Sequence, residues 1–204
     1  MHSENQPISN IAFTSTVKAI QQRNGSRQAY ARMESGSGWS SNITDEIKSF
    51  IEAQTSIFLA TNNADGQPYI QHRGGPEGFL QVLDEHTIGF ADFAGNRQYI
   101  TQGNLSDNQK AFLFLIDYRQ QQRIKLWGEA RMIEDHPALL ASLTPAGYKA
   151  RAERVFLFSV KAWDANCHQH IPIRFDAADV HEALKERDQR IKMLEREIHR
   201  LKNI

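Results

Sequence analysis

The residues with the clearest chemical potential lie in Phe93-Ala94-Gly95-Asn96-Arg97-Gln98-Tyr99-Ile100-Thr101, between a strand pattern and a helix pattern. Gly95 permits a turn and Asn96 is a capping residue type, so the first amides of the following helix would point at the mouth of the strand. Such amides make a seat for phosphate. Arg97 adds a rigid fork of donors, and Thr101 lies one turn further along the same side. The same residues also suit an ordinary capped helix with a solvated arginine.

Three further stretches carry chemistry-bearing types. In Arg123-Ile124-Lys125-Leu126-Trp127-Gly128-Glu129, period-two geometry sets Arg123, Lys125 and Trp127 on one face and Ile124 and Leu126 on the core face. The polar face suits a planar anion, and equally a solvated barrel exterior. In Gln71-His72-Arg73-Gly74-Gly75-Pro76-Glu77-Gly78-Phe79 the glycines mark a bulge or a close approach of backbone to ligand, with Arg73 at its edge. The stretch from Ala162 to Phe175 holds Trp163, Cys167, His168, His170 and Arg174. Its cysteine and histidines lack the distant second ligand pair of a structural zinc site, so no metal is expected and the histidines read as surface or pocket-lining residues. There is no Gly-x-Ser-x-Gly elbow, Walker loop, Rossmann fingerprint or His-Glu-x-x-His, which disfavours reactions built on those parts.

Positioning these groups requires a folded scaffold, and the composition supplies one. Of 204 residues, 40% are hydrophobic and 24% charged, as in a soluble globular domain. Lys plus Arg and Asp plus Glu are both 24, so the bulk charge favours neither nucleic acid nor an anionic membrane as partner. No apolar run approaches the roughly 20 residues of a spanning helix. The opening MHSENQPISN lacks a signal-peptide core, and the single cysteine, Cys167, fits a reducing compartment. The expectation is a cytoplasmic protein.

Short β-branched and aromatic runs separated by turn residues predict strands over 57–60, 68–73, 79–83, 87–91, 111–116, 123–133 and 155–160. The run from Ala111 to Ile116 is apolar throughout, as a strand covered on both faces would be. Thr44, followed by Asp45 and Glu46, opens a helix with Ile47, Phe50 and Ile51 on one face. Further helices are expected at 96–102, 137–143 and 147–154. An N-terminal helical arm over 1–40 would lie across the main domain or a neighbouring subunit, because such short helices seldom bury their apolar stripes alone. The main domain spans 41–176. A tail over 177–204 spaces Val180, Leu184, Ile191, Leu194, Ile198 and Leu201 as a heptad seam interrupted by Arg187. That seam either packs back on its own domain or pairs between subunits.

Taken in order, the Arg73 glycine loop, the Gly95-Asn96-Arg97 turn, the strand from Ala111, the Arg123 strand and the Trp163-to-Arg174 stretch resemble the pyridoxamine 5′-phosphate oxidase-like family of FMN-binding split β-barrels. Within it they look most like the predicted flavin-nucleotide-binding proteins, over about residues 44 to 176. The resemblance implies a mainly β fold with peripheral helices (α+β), a six-stranded antiparallel split β-barrel, and a homodimer that holds FMN in clefts between its barrels. Arg73 and Arg97 would then meet the FMN phosphate with Asn96 and Gln98 beside them, Gly74, Gly75 and Thr101 completing that side. Arg123 would approach the ring, and Trp163 and Arg174 of the second subunit would close over it. His170 would stand on the substrate side.

Gln98 replaces a lysine usual in the family, and Tyr148 and Arg151 do not match the set that grips substrate phosphate in true pyridoxamine phosphate oxidases, so flavin carries over better than substrate. The implied activity is an FMN-dependent oxidoreductase acting on a small molecule or taking electrons from a donor such as NAD(P)H, with no catalytic residue assigned. A flavin carrier or redox-sensing module without turnover is the alternative. A heme-binding relative, with Cys167, His168 or His170 on iron, is a third reading.

Overall fold

Side-chain alternation organises the sheet in the computed structural model, which describes residues 6–36, 38–166 and 169–203. The strands are β1 (Ser56–Asn62), β2 (Pro68–Gly74), β3 (Gln81–Asp84), β4 (Thr87–Phe93), β5 (Lys110–Asp117), β6 (Gln122–Ile133) and β7 (Ala152–Asn166). The helices are α1 (Ser15–Arg23), α2 (Arg27–Ser35), α3 (Asp45–Glu52), α4 (Ile100–Asp107), α5 (Pro137–Leu143) and α6 (Ala177–Lys202). The fold is mainly antiparallel β with peripheral helices, as expected. It has seven strands in the order β2-β1-β5-β6-β7-β4-β3, one more than the six the family resemblance implied. The sequence itself marks seven strand runs, and the short β3, expected at 79–83, pairs with β4 across a tight turn at Asp84–Thr87.

Inward side chains of the strands meet in one core. Ile57 and Leu59 from β1, Leu113 and Leu115 from β5, Leu126 from β6, and Phe156 and Phe158 from β7 are buried there, with Ile47 and Ile51 of α3. Thr44 caps α3 as its sequence suggested, its hydroxyl accepting from the Ile47 amide. On the opposite face of the sheet, α5 packs Leu143 on Val155 and Ala91. A shift between β6 and β7 falls at Trp127/Gly128, where a Cβ on Gly128 would stand 2.2 Å from the Ser159 carbonyl oxygen. That contact admits only glycine.

Three expectations change. β5 is not covered equally on both faces: Ala111, Leu113 and Leu115 are buried, while Phe112 and Phe114 are half-buried on the other side. The helix expected over 147–154 does not form. Gly147 turns with φ 75° and the chain then enters the long strand β7, whose pairing with both β4 and β6 outweighs a weak helical spacing. The helix expected from Asn96 begins only at Ile100 and continues to Asp107.

The N-terminal arm lies on its own chain. Trp39 stacks on Trp127 at 4.5 Å between ring centroids, with Phe13 and Phe112 at either end of the row. Lys125 stands 6.0 Å above Trp39 and pairs with Asp164 at 2.8 Å, so the polar face of β6 is neither a solvated exterior nor an open plate. Glu34 holds the arm together by accepting from Ser9 and pairing with Arg27.

The chain forms two compact units, Met1–Ile116 with Arg123–Cys167, and Asp117–Gln122 with His168–Ile204. Within the second, Arg174 lies 4.3 Å over the Tyr118 ring and Arg119 pairs with Asp179 at 2.9 Å. Among the described residues no helix is long and apolar enough to cross a membrane.

Candidate functional site

β2 and β4 stand far apart in the strand order, yet Arg73 Nη1 of β2 is 2.9 Å from Asp92 Oδ1 of β4. The sheet therefore curls until its two ends face each other, and side chains rather than backbone bonds bridge the split. α4 reinforces the bridge. Its Thr101 hydroxyl donates to Gln71 Oε1 of β2 at 2.8 Å, and Asn104 Nδ2 donates to Thr61 Oγ1 of β1 at 2.9 Å. With Leu105 buried, Thr101, Asn104 and Leu105 follow the three- and four-residue steps of one helix face.

A cleft of about 170 Å³ opens at this split. β2 presents Tyr69, Gln71 and Arg73 to it from alternate positions. The 94–99 loop brings Asn96, Arg97 and Gln98, and α4 brings its first turn. From β7 come Glu153 and Arg154, the latter in register with Asp92.

Charge in the cleft centres on buried Asp92. Besides Arg73, Arg154 approaches it with Nε 3.4 Å from Oδ2. Burial pushes the Asp92 carboxyl above its ordinary range, with the two guanidiniums pulling it back only in part and Glu153 adding to the rise. Arg154 also pairs with Glu153 at 2.8 Å, bonds Gln102 and lies 5.4 Å over the Tyr99 ring. Hydrogen bonds from Arg154 and Arg151 hold the Glu153 carboxyl below its ordinary range. Burial opposes the Arg154 cation, but Glu153, Asp92 and Glu134 outweigh it and raise its pKa.

Donors remain unspent. The Nε atoms of Arg73 and Arg154 are buried without a hydrogen-bond partner, which costs free energy until something accepts from them. Arg97 has no hydrogen-bond or ion-pair partner among the described residues. Asn96 does not cap α4. Its side chain accepts from the Gln98 amide at 3.2 Å, and Tyr99 at the cap position offers no side-chain bond, so the first amides of α4 stay free. Arg97 and Tyr99 adopt φ 59° and 55°, left-handed backbone that non-glycine residues rarely take, whereas Gly95, which the sequence marked for the turn, does not. Such strain collects at functional sites.

Of the residues singled out in the sequence, Arg73, Asn96, Arg97, Gln98 and Thr101 line this one cleft. The others do not. Gly74 and Gly75 serve packing, since a Cβ on Gly75 would lie 2.6 Å from Phe79 Cβ and one on Gly74 3.1 Å from the Thr55 carbonyl. Arg123 sits on β6 with a buried Nε that has no hydrogen bond. The Trp163 indole donates to the Asn42 carbonyl at 2.8 Å. His170, with φ 65°, and Arg174 belong to the second unit. Cys167 and His168 lie outside the described residues, and among those described no cluster of His, Cys, Asp or Glu could hold a metal. Sequence reading missed Asp92 and Arg154. Their signal was a charged residue inside an apolar strand run, Phe90-Ala91-Asp92-Phe93 and Arg154-Val155-Phe156.

A family model described as pyridoxamine 5′-phosphate oxidase matches residues 43–167, and the chain belongs to this family. Among solved structures, HupZ from Group A Streptococcus is 22% identical, the match covering 65% of this chain and 99% of that one with a TM-score of 0.49. An FMN-binding protein from Syntrophomonas wolfei subsp. wolfei is 12% identical over 72% of this chain and 97% of its own, with a TM-score of 0.48. A Clostridium acetobutylicum protein related to general stress protein 26, of the pyridoxinephosphate oxidase family, is 16% identical over 66% and 94%, at 0.46. No curated protein matches the chain.

The cleft fits the phosphate of the flavin nucleotide that the family implies. A phosphomonoester near two negative charges needs convergent donors, and Arg97, the orphaned Nε atoms and the start of α4 supply them. Two carboxylates, Asp92 and Glu153, share the space with three arginines, and both are already engaged by those arginines. At about 170 Å³ the cleft is smaller than the roughly 300–1,000 Å³ of a whole-ligand pocket.

Proposed function

We infer that this protein is an FMN-binding oxidoreductase whose cofactor is anchored by its phosphate in the Arg73–Arg97–Arg154 cleft. The observation that carries the reading is the pair of buried guanidinium Nε atoms, of Arg73 and Arg154, that make no hydrogen bond beside an uncapped helix start. Arg97, free and on a strained backbone, clamps the phosphate from the solvent side. Arg73 and Arg154 approach from the sheet side, with Asp92 fixing both and so reducing the ordering cost of binding. Thr101 and Gln71 keep α4 against β2, so the helix amides stay aimed at the anion.

The bound flavin would supply hydride or electron transfer, and the chain would supply binding and orientation. A cleft sized for phosphate alone leaves the ring outside it, which agrees with the ring lying between two copies of the chain. Trp163, Arg174, Arg123 and His170 are then the residues of this proposal on the ring and substrate side. A small reductant such as NAD(P)H is the class of electron donor in this reading.

The test is a comparison of FMN with riboflavin, which shares the ring and lacks the phosphate. FMN should bind far more tightly, and Arg97→Ala should weaken FMN by roughly 1.5–3 kcal/mol, the range for a charged hydrogen bond, while leaving riboflavin unchanged. Equal binding of the two flavins, or a heme band with no flavin in the purified protein, would overturn the assignment.

A further inference from the structure

The helix α6 exposes an apolar stripe. Val180, Leu184, Ile191, Leu194, Ile198 and Leu201 are 45 to 58% exposed, and α6 buries none of its residues. They recur on alternating four- and three-residue steps, which places Leu184, Ile191 and Ile198 at heptad position a and Val180, Arg187, Leu194 and Leu201 at d. β-Branched residues at a with leucine at d favour a two-stranded parallel coil.

We propose that α6 pairs with α6 of a second copy of this chain as a parallel, in-register coiled coil. The charges flanking the seam choose both the partner and the direction. In a parallel pair each g residue faces the e residue five positions on in the other helix. Arg190 then faces the second copy's Glu195, and Glu197 faces its Lys202, each twice by symmetry. The remaining g residue, Ala183, offers no charge to the second copy's Asp188. That carboxylate is left for Arg187, since a d residue borders the facing e position. The one charged residue in the seam therefore has a partner of opposite sign beside it in both copies, whereas a one-heptad shift sets one Arg187 beside Glu195 and the other beside His181.

The antiparallel alternative sets e against e and g against g. Arg190 would face Glu197, but Asp188 would face Glu195 and His181 would face Lys202, each pair of like sign when the histidine is charged, so the parallel pairing carries the better charge match. Glu197 is held by Arg200 of its own helix at 2.6 Å, and Arg200 lies outside the a, d, e and g positions, so this contact orients the carboxylate without occupying the seam. A parallel coil brings both copies' preceding chains out at the same end. The inference is independent of which cofactor the cleft takes.

The test uses the full chain with Cys167→Ser and a nitroxide on Asn203→Cys, a position on the outer face of the coil. Pulsed dipolar distance measurement should give a narrow, short separation, because parallel in-register axes run about 10 Å apart. In an antiparallel coil position 203 lies opposite 182, about 30 Å along the axis, which gives a long distance. Glu197→Lys should reduce the short-distance population several-fold by setting cations against the second copy's Lys202, and adding Lys202→Glu should restore it. A long or broad distribution in the parent protein overturns the proposal, and so does failure of the charge swap to rescue. The label reports the tail even when two copies are held together elsewhere, so a dimer built only from the barrels gives the broad result.

Discussion

Asp92 decides the electrostatics of the cleft, and its titration can be read in stability. Burial raises its pKa above 3.8 despite two neighbouring guanidiniums, so the native state holds this proton more tightly than the unfolded chain does. A raised carboxyl contributes stability that is fully present below 3.8 and is lost as pH rises through the raised value. Glu153, held low, works in the opposite direction on the acid side of 4.5 and is common to wild type and variant. The unfolding free energy of wild type minus that of Asp92→Asn should therefore decline as pH rises from 3.8, measured by urea unfolding across that window. A difference that grows with pH would mean that the ion pairs outweigh desolvation. At this scale the sequence was legible where residue type alone carries the chemistry, as for Arg73, Arg97 and Thr101. Asp92 and Arg154 escaped because their importance comes from a cross-strand register that no local spacing records. The left-handed backbone at Arg97 and Tyr99 escaped as well, since neither is the glycine that would announce it.

Elements were legible in proportion to how strongly alternation marked them. β1, β2 and β6 follow it closely, and α5 matches its expected bounds of 137–143. The 147–154 segment was misread because its spacing suits a helix while its partners, β4 and β6, lie far away in sequence. Glycines in regular elements separate these influences. Gly128→Ala should destabilise the protein by about 1–3 kcal/mol, because the added methyl meets the Ser159 carbonyl and the Phe158 ring across the β6–β7 seam. Gly103→Ala, in α4 with open space around the new methyl, should instead stabilise by up to about 1 kcal/mol. Thermal denaturation of both variants checks the pair, and a harmless Gly128→Ala would show that the seam can spread.

At the scale of the molecule, the arm is part of the fold rather than an attachment to it. Trp39 covers Trp127, and the arm's backbone reaches β7 through the bond from the Trp163 amide to the Ser40 carbonyl at 2.8 Å. Trp39→Ala should lower unfolding free energy by about 2 kcal/mol, the value of a partly buried aromatic stack, with a matching change in tryptophan fluorescence. An unchanged midpoint in denaturant would mean that the arm is dispensable. The split between the sheet's ends has a practical consequence. An anion bound there as proposed would be gripped from β2, from β7 and from the helix that follows β4, so by mass action it would steady the whole domain. Under the proposed function, phosphate or sulfate in a purification buffer would then act as both a thermal stabiliser and a competitor, and a ligand screen belongs in chloride or acetate.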